Sequence, residues 1–185
     1  MAIMSQETID RVTQAVTGFD QRVQATADTA WTNQSPCEEW KARDVVVHVT
    51  NNLRRLGSAL GATAAPEVTV DEDIRTAWNT TREAFLAAAA AADMSAIVNG
   101  PFGPMPADQL VGRIICTDVL VHTWDLARSV GGDETLPVDL VQGAYDGLKP
   151  MDAMIRRPGV FSDKATTPAG ADLQTEFLCF LGRTV

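Results

Sequence analysis

The chain is 185 residues long, and 15 Lys and Arg against 24 Asp and Glu leave a formal net charge of −9. That length suits one domain able to bury a core without disulfides or a structural metal, and the acidic balance excludes a broad basic face for nucleic acid or anionic membrane. The longest strongly apolar stretch, Ala84 to Ala92, is nine residues, far short of the roughly 20 needed to span a bilayer. Cys37, Cys116 and Cys179 are an odd, widely spaced set, and the opening residues Met1 to Glu7 lack the basic and apolar regions of a secretory signal. The reading therefore expects reduced thiols in a cytosolic protein.

Apolar residues Ile9, Val12, Val16, Phe19 and Val23 recur at steps of 3, 4, 3 and 4, which predicts a first helix from Ser5 to about Thr26. Val45, Val49, Leu53, Leu56 and Leu60 repeat in the same way and predict a second from about Lys41 to Ala59. The run Val45-Val46-Val47 also suits a strand, but the period continues too long for one, and Gly57 and Gly61 mark the fraying end. A third helix is expected from about Glu72 to Ala92, capped by Asp71 or Asp73. The Gly- and Pro-rich segment Asn99 to Pro106 must be a loop with room for a short hairpin. A fourth helix runs from about Ala107 to Val130, between Pro106 and Gly131-Gly132. A fifth spans about Val138 to Met154 and ends near Arg156-Arg157-Pro158-Gly159, Val160 to Gly170 is irregular, and a last helix covers about Leu173 to Leu181. Four long amphipathic helices joined by loops predict an all-α helical bundle with short C-terminal helices.

The chain has two histidines, His48 and His122, each inside a predicted helix beside its apolar stripe. On the fourth helix, Val111, Ile115, Asp118, His122 and Asp125 project from one face. A carboxylate on an inward face needs a hydrogen-bonded cation, a metal or a water-filled pocket. If His48 faces the same interior, two neutral imidazoles and one carboxylate make a three-ligand set for a divalent metal with a coordination position left open. The same spacing also allows two interior histidines hydrogen-bonded to Asp118 and to backbone carbonyls.

Other residues near these positions have two readings each. Trp40 and Trp124 could shield the site from water, although core packing is the commoner role. Asp125 could hold an imidazole N–H, or pair with Arg128 or Arg113. Cys37, followed by Glu38-Glu39, reads as a loop cysteine, and Cys116, about 200° around the helix from Asp118, reads as packing. The pairs Arg54-Arg55 and Arg156-Arg157 could bind a carboxylate, but solvated surface is the simpler reading. No Ser or Cys triad and no phosphate loop can be assembled from the spacing.

Two stretches, Ser35-Pro36-Cys37-Glu38-Glu39-Trp40 followed by Asp44-Val45-Val46-Val47-His48, and Asp118-Val119-Leu120-Val121-His122-Thr123-Trp124-Asp125-Leu126-Ala127, resemble the mycothiol-dependent maleylpyruvate isomerase N-terminal domain family. That family is related to the DinB-like metal-binding four-helix bundles, and the resemblance extends weakly to Phe180-Leu181-Gly182-Arg183. It implies a DinB-like four-helix bundle in which His48, Asp118 and His122 are the metal ligands, with zinc the default and nickel or iron(II) suited to the same donors. The family most often carries Glu where this chain has Asp118. The shorter side chain implies a longer metal contact, a place behind the ligands, or a closer approach of the helices. The resemblance also implies mycothiol or a similar thiol as cosubstrate and an electrophilic small-molecule substrate. The isomerase proper has a further C-terminal domain, for which residues 1–185, read as a single domain, leave no room.

Two functions follow from this reading. One is a metal-dependent S-transferase or isomerase in which the metal activates a low-molecular-weight thiol. The other is a noncatalytic metal- or ligand-binding bundle with a structural or vestigial site. An exposed helix face would allow a homodimer, although no heptad seam demands one.

Overall fold

The computed structural model describes residues 2–69, 71–156 and 161–185. The expected all-α, DinB-like bundle is what forms, and the chain divides into two compact units, Met1–Glu134 and Thr135–Val185.

In the first unit, α1 (Ala2–Ala25) turns Val12, Val16, Phe19 and Val23 inward, each fully buried. The second helix, α2 (Ala42–Ser58), does the same with Val45, Val46, Val49 and Leu53. Its β-branched run is helical because one continuous apolar stripe outweighs a propensity difference of a few tenths of a kcal/mol per residue. At its start the Asp44 carboxylate accepts the Lys41 backbone N–H at 2.8 Å. The third helix, α3 (Ile74–Ala91), is capped by Asp73, whose carboxylate accepts the Thr76 N–H at 2.8 Å. Its buried face carries Ile74, Trp78, Phe85 and Ala89.

The loop after α3 does hold a hairpin. Strands β1 (Ile97–Gly100) and β2 (Gly103–Pro106) pair antiparallel, from Ile97 opposite Pro106 to Gly100 opposite Gly103. Gly103, at φ 105°, adopts a backbone conformation that a side chain would strain. A continuous helical run then leads from α4 (Ala107–Gln109) through a π-helical segment, Leu110–Ile115, into α5 (Cys116–Val130), which closes on Gly131 at φ 67°. Around the bundle, α1 lies between α5 and α3, and α2 between α3 and α5.

Two expectations about this unit are corrected. Gly57 does not fray α2: it is a buried helical residue at a close approach, where an added Cβ would stand 3.3 Å from the Phe85 ring. Only Gly61, at φ 97°, marks the end of the helical stretch. The fourth helix is also not uniformly α. Its π segment brings Gly112 against α1, where a Cβ would stand 3.2 Å from the Thr8 side chain, and the inserted turn shifts register just before the residues of the site.

The second unit contains α6 (Val138–Leu148), a 3-10 turn at Lys149–Met151, α7 (Asp152–Ile155) and α8 (Leu173–Phe180). The single helix expected from Val138 to Met154 is broken at Pro150, which has no N–H to donate to the preceding turn and crowds its carbonyl. Tyr145 of α6 packs on Phe180 and Phe177 of α8. The predicted helix end at Arg157, Pro158 and Gly159, with Val160, lies outside the described residues. All three cysteines are free thiols. Among the described residues, no helix is long and apolar enough to cross a membrane.

Candidate metal centre

The site lies where α2 meets α5. His48 and Asn52 stand one turn apart on α2, and Asp118, His122 and Asp125 follow one face of α5 at steps of 4 and 3. The carboxylate Oδ1 of Asp118 lies 3.3 Å from His48 Nε2 and 3.6 Å from His122 Nε2. The three donor atoms all fall within 4.8 Å of one another. Spacing alone left open whether His48 faces Asp118 and His122, and the fold brings the three together.

Hydrogen-bond chemistry fixes what these atoms offer. The Asn52 amide nitrogen, which can only donate, lies 2.9 Å from His48 Nε2 and 3.1 Å from Asp118 Oδ2. Its orientation is set by Arg55, which donates to Asn52 Oδ1 at 3.0 Å. In that arrangement His48 Nε2 carries a lone pair and no proton. His122 Nδ1 lies 2.8 Å from Asp125 Oδ2, and an ionised carboxylate only accepts, so Nδ1 holds a proton and Nε2 faces Asp118, offering a lone pair when the ring is neutral. With neutral rings, two imidazole lone pairs and a carboxylate oxygen thus converge; a ring proton on Nε2 would instead be donated to Asp118 Oδ1. Such an electron-rich set is relieved by a cation.

The fit can be tested against bond lengths. With metal–ligand bonds of about 2.0–2.1 Å, the edge of a tetrahedron is roughly 3.3 Å, close to both Asp118 separations. The short Asp side chain therefore reaches both imidazoles. Burial by itself would push the Asp118 carboxyl up, but contact with His48, the positive charges of His122 and His48 when protonated, and the Asn52 N–H outweigh it. The group is held below the usual carboxylate range and stays anionic.

The surroundings sort the remaining candidates. Trp40 packs on both imidazoles, with ring centroids 4.8 Å from His48 and 5.8 Å from His122, so it covers the site as well as contributing packing. It is placed by a tight turn in which Trp40 N–H donates to the Cys37 carbonyl and Glu39 takes φ 66°. Trp124 is core, fully buried beneath the Arg128 guanidinium, and its Nε1 is a buried donor without a partner among the described residues. Asp125 is fully buried and anchors His122. Cys116 is packing, its thiol directed toward the Arg11 carbonyl of α1.

Sequence reasoning missed two residues here. Cys37 sits in a loop as expected, but its thiol reaches Asp125 Oδ2 at 3.4 Å, joining the group that holds His122. Asn52 carries no signal of its own beyond its place four residues after His48, on the same helical face. Beside His48 a cleft of about 560 Å³ opens between α2 and residues 64–67. Arg54 lines it but is committed to Glu72, Thr81 and the Pro66 carbonyl. Arg156, in the second unit, binds Asp152 and the Ser162 and Phe180 carbonyls, and Arg157 lies outside the described residues.

The family model described as the mycothiol maleylpyruvate isomerase N-terminal domain matches residues 12–127, a span that contains all three converging residues and Asn52. Two uncharacterised proteins of Mycobacterium tuberculosis, from strains CDC 1551 / Oshkosh and ATCC 25618 / H37Rv, are each 30% identical over 156 residues, covering 82% of this chain and 84% of the relative. No solved structure matches the chain significantly.

Proposed function

The chain belongs to the mycothiol maleylpyruvate isomerase N-terminal domain family, and from that membership and the geometry of the site we propose that it is a divalent-metal-dependent enzyme acting as an S-transferase or isomerase with a low-molecular-weight thiol, mycothiol or one like it. The observation that carries this reading is the convergence of His48 Nε2, His122 Nε2 and Asp118 Oδ1. These three residues would hold the metal, zinc by the chemistry of the donors, with nickel or iron(II) able to use the same set. Bound there, the metal would supply a positive charge that lowers the pKa of a thiol and favours its nucleophilic thiolate at neutral pH.

The chain's own residues prepare and protect that chemistry. Asp125 keeps the His122 proton on Nδ1, so that Nε2 stays available to a ligand. Asn52 donates to Asp118 Oδ2 and leaves Oδ1 toward the imidazoles. Trp40 lies against both rings and limits water on that side. The cleft beside His48 gives a small molecule access to the centre. The triad side chains act as ligands and not as general bases, and the electrophile is positioned by the walls of the cleft.

The test is to incubate zinc-loaded protein with low-molecular-weight thiols and a panel of electrophiles, following loss of free thiol. The reading expects turnover that disappears in folded His48→Ala and His122→Ala variants. Turnover equal in wild type and both variants would overturn it. Stoichiometric zinc with no turnover of any thiol would favour the noncatalytic metal-binding bundle.

A further inference from the structure

The cleft beside the triad holds a cation whose hydrogen-bonding capacity is mostly unspent. On α2, Asn51 and Arg54 are occupied in fastening the opposite wall: Asn51 Oδ1 accepts the Val68 N–H at 2.9 Å, and Arg54 donates to the Pro66 carbonyl at 2.6 Å while pairing with Glu72. Arg55 is different. It is exposed, it lines the cleft, and among the described residues the one hydrogen bond of its guanidinium goes to Asn52 Oδ1. Most of its five N–H donors remain for a ligand, in the planar fork that matches an oxyanion. Glu67 also lines the cleft and sets a negative charge in the same space, so a compact anion seated on Arg55 is favoured over one that fills the cleft.

Arg55 is also connected to the triad. By holding Asn52 Oδ1 it turns the Asn52 amide nitrogen onto His48 Nε2, the same lone pair a metal would need. We propose that Arg55 is an oxyanion subsite linked to the metal centre through Asn52: an anion that takes the Nη2 donor now held on Asn52 Oδ1 lets that amide turn away from His48 and so tightens metal binding. This rests on the reading of His48, Asp118 and His122 as metal ligands. The coupling is reciprocal, so bound metal tightens anion binding by the same factor.

The experiment measures zinc affinity by competition with a chromophoric chelator, with sulfate replacing chloride at constant ionic strength. Sulfate is expected to tighten zinc binding by about five-fold, the worth of one ordinary hydrogen bond. Arg55→Gln should remove the response and bind zinc without sulfate as tightly as wild type does with it. Asn52→Ala should also remove the response, which a purely electrostatic effect of a nearby anion would not do. A sulfate effect that persists in either variant, or its absence from wild type that binds zinc, would overturn the coupling alone. Failure of wild type to bind zinc at all would overturn the metal reading and the coupling with it.

Discussion

Asp125 is fully buried and accepts hydrogen bonds from both the His122 ring and the Cys37 thiol. Replacing it by Asn keeps the shape and removes the charge that fixes the His122 proton. Asp125→Asn is therefore expected to weaken zinc binding by about ten-fold or more while the helical circular dichroism stays unchanged. Chelator competition checks this, and an affinity equal to wild type would show that His122 is oriented by packing alone. At this scale much of the site was legible. His48, Asp118, His122 and Asp125 could be named because the chain's two histidines lie on apolar helix faces with carboxylates at helical spacing around one of them, a pattern that by itself allows a hydrogen-bonded interior cluster as well as a metal set and that the family resemblance turned toward metal. Asn52 and Cys37 could not be weighed in the same way. An amide at a helical step from a histidine is common on any helix, and the contact of Cys37 with Asp125 spans 88 positions of sequence, which no local period reveals.

Helix ends depend on single side chains, and two of them make clear tests. Asp73 caps α3 through the Thr76 N–H, so Asp73→Ala should cost about 1 kcal/mol in urea unfolding. Gly131 ends α5 at φ 67°, where any Cβ is strained, and Gly131→Ala should cost about 1 kcal/mol, with a larger cost for Val. Apolar periodicity recovered the helices to within a few residues because each buries one stripe. It could not detect the π segment at Leu110–Ile115, since Leu110, Val111 and Ile115 are apolar and buried under either winding. The break at Pro150 was in principle readable. The apolar pattern on both sides masked it, and the missing N–H decided the outcome. The role of Gly57 depends on Phe85 of another helix, which no period within α2 reveals.

For the molecule as a whole, the carboxyls of Asp73, Asp118 and Asp172 are each held below the usual carboxylate range. The Thr76 contacts act on Asp73 and the Thr175 N–H on Asp172; at Asp118 burial opposes the shift, and His48, His122 and Asn52 outweigh it. A carboxyl whose pKa is lower folded than unfolded stabilises the fold fully above the unfolded value, about 3.9, and loses that contribution as pH falls through the lower folded value. Metal-free protein should therefore hold its helical signal from pH 7 to about pH 4.5 and lose stability below pH 4, as followed by thermal melts across that range. A fall in melting temperature already complete by pH 5 would contradict this.

The central claim, that α2 and α5 fold together to hold a metal, is tested most directly by elemental analysis of protein purified without chelator or affinity-tag metal, beside a His48→Ala/His122→Ala double variant. The account predicts close to one divalent metal ion per chain in wild type, or after zinc addition and desalting, and none in the variant. Wild type free of metal even after zinc addition, or a folded double variant that retains the same metal content, would contradict it.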